Sequence, residues 1–269
     1  MTTLMVHLQL GRANTSLLQS AAELARRLGA DVMGTAVGQP LRNYISGAVV
    51  EQDRRELENE MKGAEAEFHA VFRGNVENLE WRPLVTFAPL AGCLAHQARC
   101  ADLIITGVDR DRTVFDASRS ADIGDLVMRA GRPVLIVPAT ADRPRFERVL
   151  VAWKDTRESR RAALDALPLL RKASHVMVCE IVPEAEMDAA HARLEDVVDW
   201  LKRDGIMAQH IVLSATGDDA VCLDAIASDQ AAGVIVAGAY GHSRLREWAF
   251  GGVTKSLLLR APRCSFVSR

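Results

Sequence analysis

At 269 residues, with 33 Lys and Arg against 35 Asp and Glu, the chain is long enough for two domains that each bury a hydrophobic core without staples. Its 49% apolar and 25% charged residues are the balance of a soluble globular protein. The net charge of −2 is evenly spread: residues 1–141 hold 15 basic and 17 acidic side chains and the rest 18 of each, so neither half has the basic field of a general nucleic-acid binder.

The stretch from Met1 to His7 lacks the basic start and long apolar run of an export signal. No apolar segment approaches the roughly 20 residues of a membrane span, so a cytoplasmic protein without membrane or nucleic-acid partners is expected. Nearly continuous apolar runs predict strands over 4–8, 32–37, 84–87, 103–106 and 134–137, the pattern of parallel strands covered on both faces. Between them, Leu17, Ala21, Leu24, Ala25 and Leu28 mark one face of a helix over 16–28. Leu57, Met61, Ala64, Phe68 and Val71 do the same over 51–73. Asp53, Arg54, Arg55, Glu56, Glu58 and Glu60 read as the solvated face of that helix. Cys93, His96 and Cys100 stand at i, i+3 and i+7 of a further predicted helix, a spacing open to metal or redox chemistry. Small core hydrophobes are the preferred reading of these cysteines, and no metal site is expected. Residues 139–144, polar and ending in Pro144, predict a linker. The second half repeats the plan, with strands over 149–153, 176–182, 209–213, 234–237 and 264–267. Its helices fall near 158–172, 185–203, 218–229 and 253–260. Pro168 is expected to kink or shorten the first of these.

The halves also resemble each other residue by residue. Thr3–Leu8 aligns with Arg148–Trp153, Asp31–Val37 with His175–Ile181, Ala91–Ala98 with Ala220–Ala227, and Asp102–Gly107 with Gly233–Gly238. The offset drifts from 145 to 131, so the first copy carries about fourteen extra residues, placed around its second helix. This is a duplicated domain, 1–141 and 142–269, rather than a solenoid of short repeats. Strands alternating with helices predict an α/β fold: two tandem five-stranded parallel sheets with right-handed crossovers and helices on both faces. Such sheets bind ligands beyond the carboxyl ends of their strands, where the strand order reverses. The five cysteines, odd in number and placed on predicted core elements, suit reduced thiols.

The strongest chemical signal follows the fourth strand of the second half. Gly238 and Gly241 let the chain turn as it leaves the strand; nine residues later, Gly251, Gly252, Val253 and Thr254 open a predicted helix. Free amides and the helix dipole there attract anions, and glycine lets the backbone approach a phosphate. This Gly-x2-Gly-x9-Gly spacing resembles the nucleotide loop of ATP-binding universal stress proteins, and the duplicated plan resembles tandem members of that family. The resemblance implies an adenine nucleotide α-hydrolase-like, Rossmann-like fold. It also implies an internal pseudo-dimer through the strands over 134–137 and 264–267, and a homodimer of chains beyond it. The implied ligand is ATP or a related adenine nucleotide. Its binding residues would be Ala152, Trp153, Lys154, Asp155, Thr156, Val182, Gly238, Gly241, His242, Gly251, Gly252, Val253 and Thr254.

The pattern departs from the family at the first strand of that half. Where ATP-binding relatives carry an acid followed by Gly-Ser, this chain has Lys154, Asp155 and Thr156. Asp155 takes the acid's place if the turn shifts by one residue. Lys154 either meets a phosphate or is a solvated strand-end lysine, which is the reading adopted. Gly252 stands where the family has a hydroxyl donor. The first half departs further: Arg110 replaces the second glycine, Asp109, Asp111 and Asp116 would repel phosphate, Gly124 precedes Asp125 rather than a hydroxyl residue, and His7–Gln9 contains no acid. That half is read as a domain with a degenerate pocket. No Walker lysine, nucleophile elbow or His-Glu-x-x-His is found. The expected function is a stress-response regulatory protein that binds an adenine nucleotide in its second half, with at most slow ATP hydrolysis. The alternatives are a dimeric interaction protein with a vestigial pocket and, third, an adenylating enzyme, which would need an early Ser-Gly-Gly-x-Asp-Ser loop that this sequence lacks.

Overall fold

The computed structural model describes residues 2–40, 47–108, 118–139, 145–215, 217–239 and 263–269. Two compact units divide the chain, Met1–Arg143 and Pro144–Arg269.

In the first unit the chain runs β1 (Thr3–His7), α1 (Thr15–Leu28), β2 (Asp31–Thr35), β3 (Val37–Gly38), α2 (Gly47–Phe72), β4 (Leu79–Trp81), β5 (Leu84–Val85), α3 (Leu90–Gln97), β6 (Leu103–Val108), α4 (Ile123–Ala130) and β7 (Val134–Pro138). Its parallel sheet has the order β4-β2-β1-β6-β7, with Met5 opposite both Met33 and Ile104. The helix α1 buries Leu17, Leu18, Ala21, Leu24 and Ala25, and it ends at Gly29, whose left-handed φ of 60° lets its N–H reach Ala25 O. Phe68 and Phe72 of α2 lie 5.0 Å apart, and Phe68 also stacks obliquely on Trp81 at 5.3 Å.

Two expectations need correction here. The run 84–87 is not the outer strand of the sheet. That place belongs to Leu79–Trp81, while Leu84–Val85 pairs with Val37–Gly38 in a separate two-stranded ladder. Pro83 has no N–H to give, so the ladder breaks between Trp81 and Leu84; in parallel, the predicted strand 32–37 divides at Ala36. Nor is the whole charge run on α2 solvated. Arg119 donates to Asp53 Oδ1 at 2.6 Å, to Glu60 Oε2 at 2.7 Å and to Gln39 O at 2.7 Å, and Asp53 is buried. Arg54 and Arg55 do face water, each in a loose i,i+4 pair, with Glu58 and Glu51.

The second unit runs β8 (Arg148–Trp153), α5 (Arg157–Leu170), β9 (His175–Val182), a 3-10 turn (Glu184–Glu186), α6 (Met187–Arg203), β10 (Ala208–Ser214), α7 (Asp219–Asp229), β11 (Val234–Gly238) and β12 (Cys264–Ser268). Its parallel strands follow the order β10-β9-β8-β11-β12. Pro168 neither stops nor shortens α5 at its own position. It sits in the last turn, and the residue whose carbonyl it leaves unpaired, Leu164, is on the exposed face. Asp218 caps α7 by accepting from Ala220 N at 2.9 Å. The helix expected over 253–260 lies outside the described residues. α2 has 26 residues where α6 has 17, so much of the first copy's extra length is in its second helix. Of the cysteines, Cys179 and Cys264 are buried, Cys93 and Cys222 half-buried, and Cys100 exposed rather than in the core. Among the described residues no helix is long and apolar enough to cross a membrane.

Candidate functional site

In the second unit, β8 is flanked by β9 and β11, so the strand order reverses beside β8. The site residues Ala152, Trp153 and Gly238 meet there, at the carboxyl ends of the strands. Ala152 lies opposite Cys179 on one side and Ala237 on the other, and Trp153 lies opposite Glu180. Val182 ends β9 two residues further on. On the α7 face this end is apolar: Ala152, Cys179 and Ala237 pack with Leu223 and Ile226. Burial, then the nearby Cys222 and Glu180, push the Cys179 thiol up to about 12, so it is no nucleophile.

The connection from β8 to α5 is only three residues, Lys154, Asp155 and Thr156, and each has a definite place. Lys154 is exposed. Asp155 accepts from Arg160 at 2.6 Å. Thr156 caps α5, its hydroxyl accepting from Ser159 N at 3.3 Å. Because the connection is short, the first turn of α5 lies directly on the end of β11. A Cβ at Gly238 would stand 2.5 Å from the Glu158 carbonyl carbon and 2.6 Å from Ser159 N. Close approach of a helix is therefore the steric reason for glycine at 238. Gly241, His242, Gly251, Gly252, Val253 and Thr254 lie outside the described residues. Thr156→Ala is expected to cost about 1 kcal/mol of stability, read as a shift in the urea midpoint.

Sequence reading missed a buried polar group beside this edge. Glu180 is 2% exposed, and Arg193 of α6 reaches its Oε1 at 3.2 Å. Glu180 Oε2, Arg193 Nε and Trp153 Nε1 are buried without hydrogen-bond partners. A single charged residue inside the apolar run 176–182 was the available signal.

The equivalent edge of the first unit is built differently. Seven residues separate β1 from α1, and Asn14 stitches them: its Oδ1 accepts from Gln9 N at 2.8 Å and its Nδ2 donates to Gln9 O at 3.1 Å. The Gln9 side chain lies over the end of β6, where a Cβ on Gly107 would meet Gln9 Oε1 at 2.7 Å. Beneath it is a polar layer. His7 Nδ1 is 2.9 Å from Thr106 Oγ1, and Thr35 donates to Gln97 Oε1 at 2.6 Å. Burial lowers the His7 imidazole to about 4, so it is neutral at physiological pH. Asp109, Arg110, Asp111 and Asp116 lie outside the described residues; Gly124 and Asp125 are in α4, where Asp125 N donates to the capping carboxylate of Asp122.

No protein-family model and no curated protein matches the sequence. Among solved structures, a universal stress protein from Archaeoglobus fulgidus is similar over 99% of this chain and 98% of its own, with a TM-score of 0.75 at 16% identity. This chain has the tandem universal stress protein fold. A functionally unknown protein from Pseudomonas aeruginosa PAO1 is similar over 99% of this chain and 92% of its own, with a TM-score of 0.63 and 16% identity. Within this universal stress protein fold the two copies have diverged at the same sheet edge, one with Gln9 lying over Gly107 and one bearing an exposed Lys154. The Cys93, His96 and Cys100 set does not converge: α3 ends at Gln97, and Cys100 sits on the following 3-10 turn. Among the described residues no three His, Cys, Asp or Glu side chains are placed to hold a metal ion.

Proposed function

We propose that the second unit binds ATP or a related adenine nucleotide at the carboxyl edge beside β8 and β11, and that the protein is a stress-response regulatory module. The observation that carries this is the contrast at equivalent positions. Gln9 lies over the end of β6, whereas its counterpart Lys154 is exposed; Ala152 and Ala237 are the small residues at the ends of β8 and β11 beside Trp153, and the first turn of α5 lies against Gly238. The first turn of α5 already carries the buried Glu158, a poor neighbour for phosphate, so the phosphates are assigned to Gly251, Gly252 and Thr254. Among the described residues, Lys154 is an exposed cation at that edge. Hydrolysis should be slow or nil: Asp155 is held by Arg160 and Glu158 by Arg157, so neither carboxylate is a free base.

The test is mass spectrometry of nucleotides released on denaturing the purified protein, followed by calorimetric titration with ATP. Gly241→Glu is expected to abolish binding while the far-UV spectrum is kept, because a carboxylate in the loop repels polyphosphate. Equal affinity in that variant overturns the loop assignment; no released nucleotide and no heat overturn the proposal. A second reading, a ligand-free dimeric interaction protein, is favoured by Asp155 and Thr156 being engaged with Arg160 and the cap of α5. Its mark is concentration-dependent self-association in sedimentation without nucleotide.

A further inference from the structure

We propose that His191 and His210 form a two-imidazole site for a borderline divalent transition ion such as Ni²⁺, Cu²⁺ or Zn²⁺. The pair belongs to the second unit but owes nothing to the nucleotide reading. His191 stands on α6 and His210 on β10, the outermost strand of that unit's sheet beyond β9. Residue 210 is opposite Val178, in the same row as Ala208 and Val212, and α6 packs on β10. Helix and strand thus aim two nitrogens at each other: His191 Nδ1 and His210 Nε2 are 3.5 Å apart, with ring centroids 5.6 Å apart and an interplanar angle of 67°.

That separation is near the span of two adjacent ligands of one ion. Two imidazole nitrogens, each about 2.0–2.1 Å from the metal, stand roughly 3.3–3.4 Å apart at the tetrahedral angle of Zn²⁺ and roughly 2.9–3.0 Å apart at the right angle of square-planar Ni²⁺ or Cu²⁺. The rings must close by a few tenths of an ångström, with neither nitrogen carrying the proton between them. Without a metal, the same geometry holds one N–H···N hydrogen bond. His191 is exposed and His210 half-buried, so an ion arrives from solvent and water completes its coordination. Arg193, two residues further along α6, is paired with the buried Glu180, which offsets its repulsion of an incoming cation. Imidazole suits Ni²⁺, Cu²⁺ and Zn²⁺ and not the harder Mg²⁺ or Ca²⁺. Backing from a rigid helix and strand orients both rings before the ion arrives.

The experiment titrates the full chain with Ni²⁺ alone by calorimetry, beside His191→Ala, His210→Ala and Mg²⁺. Each variant is expected to weaken Ni²⁺ binding by about tenfold or more, with Mg²⁺ giving no heat. Paramagnetic Cu²⁺ locates the ion: ring-proton signals of His191 and His210 should broaden first in the parent chain, whose fold is unaltered. Unchanged affinity in both variants, broadening centred on other histidines or on Cys100, or no Ni²⁺ binding at all would each overturn the site, the last leaving a hydrogen-bonded pair.

Discussion

Gly233→Ala should destabilise the second unit by about 3 kcal/mol or more, a loss at the top of the range for overpacking. A Cβ at 233 would stand 2.0 Å from the main-chain oxygen of Arg145 and 2.6 Å from its Cβ. Neither backbone can retreat. Gly233 N donates to Arg148 O at 3.0 Å, and Gly233 O accepts from Cys264 N at 3.2 Å, so the residue is fixed between β8 and β12. Moving it breaks a ladder; moving Arg145 pulls the start of β8. The control is Gly63→Ala in α2, where a new Cβ meets nothing within 4 Å. That change should gain about 0.5–1 kcal/mol from helix propensity. Urea unfolding of both variants decides the matter: a Gly233→Ala midpoint equal to that of the parent would mean that Arg145 does not pack against Gly233.

Acid should act mainly on the first unit, through His7. Its imidazole is held down to about 4 by burial, against 6.5 for an ordinary histidine. Between those two values the unfolded chain takes up a proton that the folded chain refuses. The stability associated with neutral His7 is therefore complete above pH 6.5 and falls as the pH drops towards 4. At about 1.4 kcal/mol per unit, the 2.5-unit interval corresponds to about 3 kcal/mol, of which about 2 is gone by pH 5. Comparing urea midpoints at pH 7.5 and pH 5 for the parent and His7→Gln isolates this group. The variant should lose about 2 kcal/mol less than the parent over that interval. Parallel pH profiles for the two proteins would show that His7 does not resist protonation.

The fold was legible because most interior strands are nearly continuous apolar runs, Glu180 in β9 being an exception, and such runs occur where both faces of a parallel strand are covered. Leu79–Trp81 escaped notice because an outer strand has one neighbour and little cover: Glu80 is exposed, and the three residues show no run. The helix ends were readable from Asp218 and Gly29, whereas Cys100 falls on a tightened turn that periodicity cannot anticipate. Partners distant in sequence were invisible. Nothing in the run 53–60 announces Arg119, about sixty residues on, and nothing in Thr156 or Asp155 tells whether they serve a ligand or α5. Gly238 illustrates the limit best, since its glycine is required by helix packing whether or not a phosphate is nearby.

The polar layer of the first unit carries one more implication. His7, Thr35, Thr106 and Gln97 occupy positions equivalent to Ala152, Cys179, Ala237 and Ile226, so the duplicated halves differ by a whole set of mutually dependent choices. Ala237→Thr alone would strand a hydroxyl in grease, and Thr106→Ala alone would leave an imidazole nitrogen orphaned. Evolutionary drift back from one arrangement to the other must cross such valleys, and this epistasis is a barrier to the two copies ever converging again.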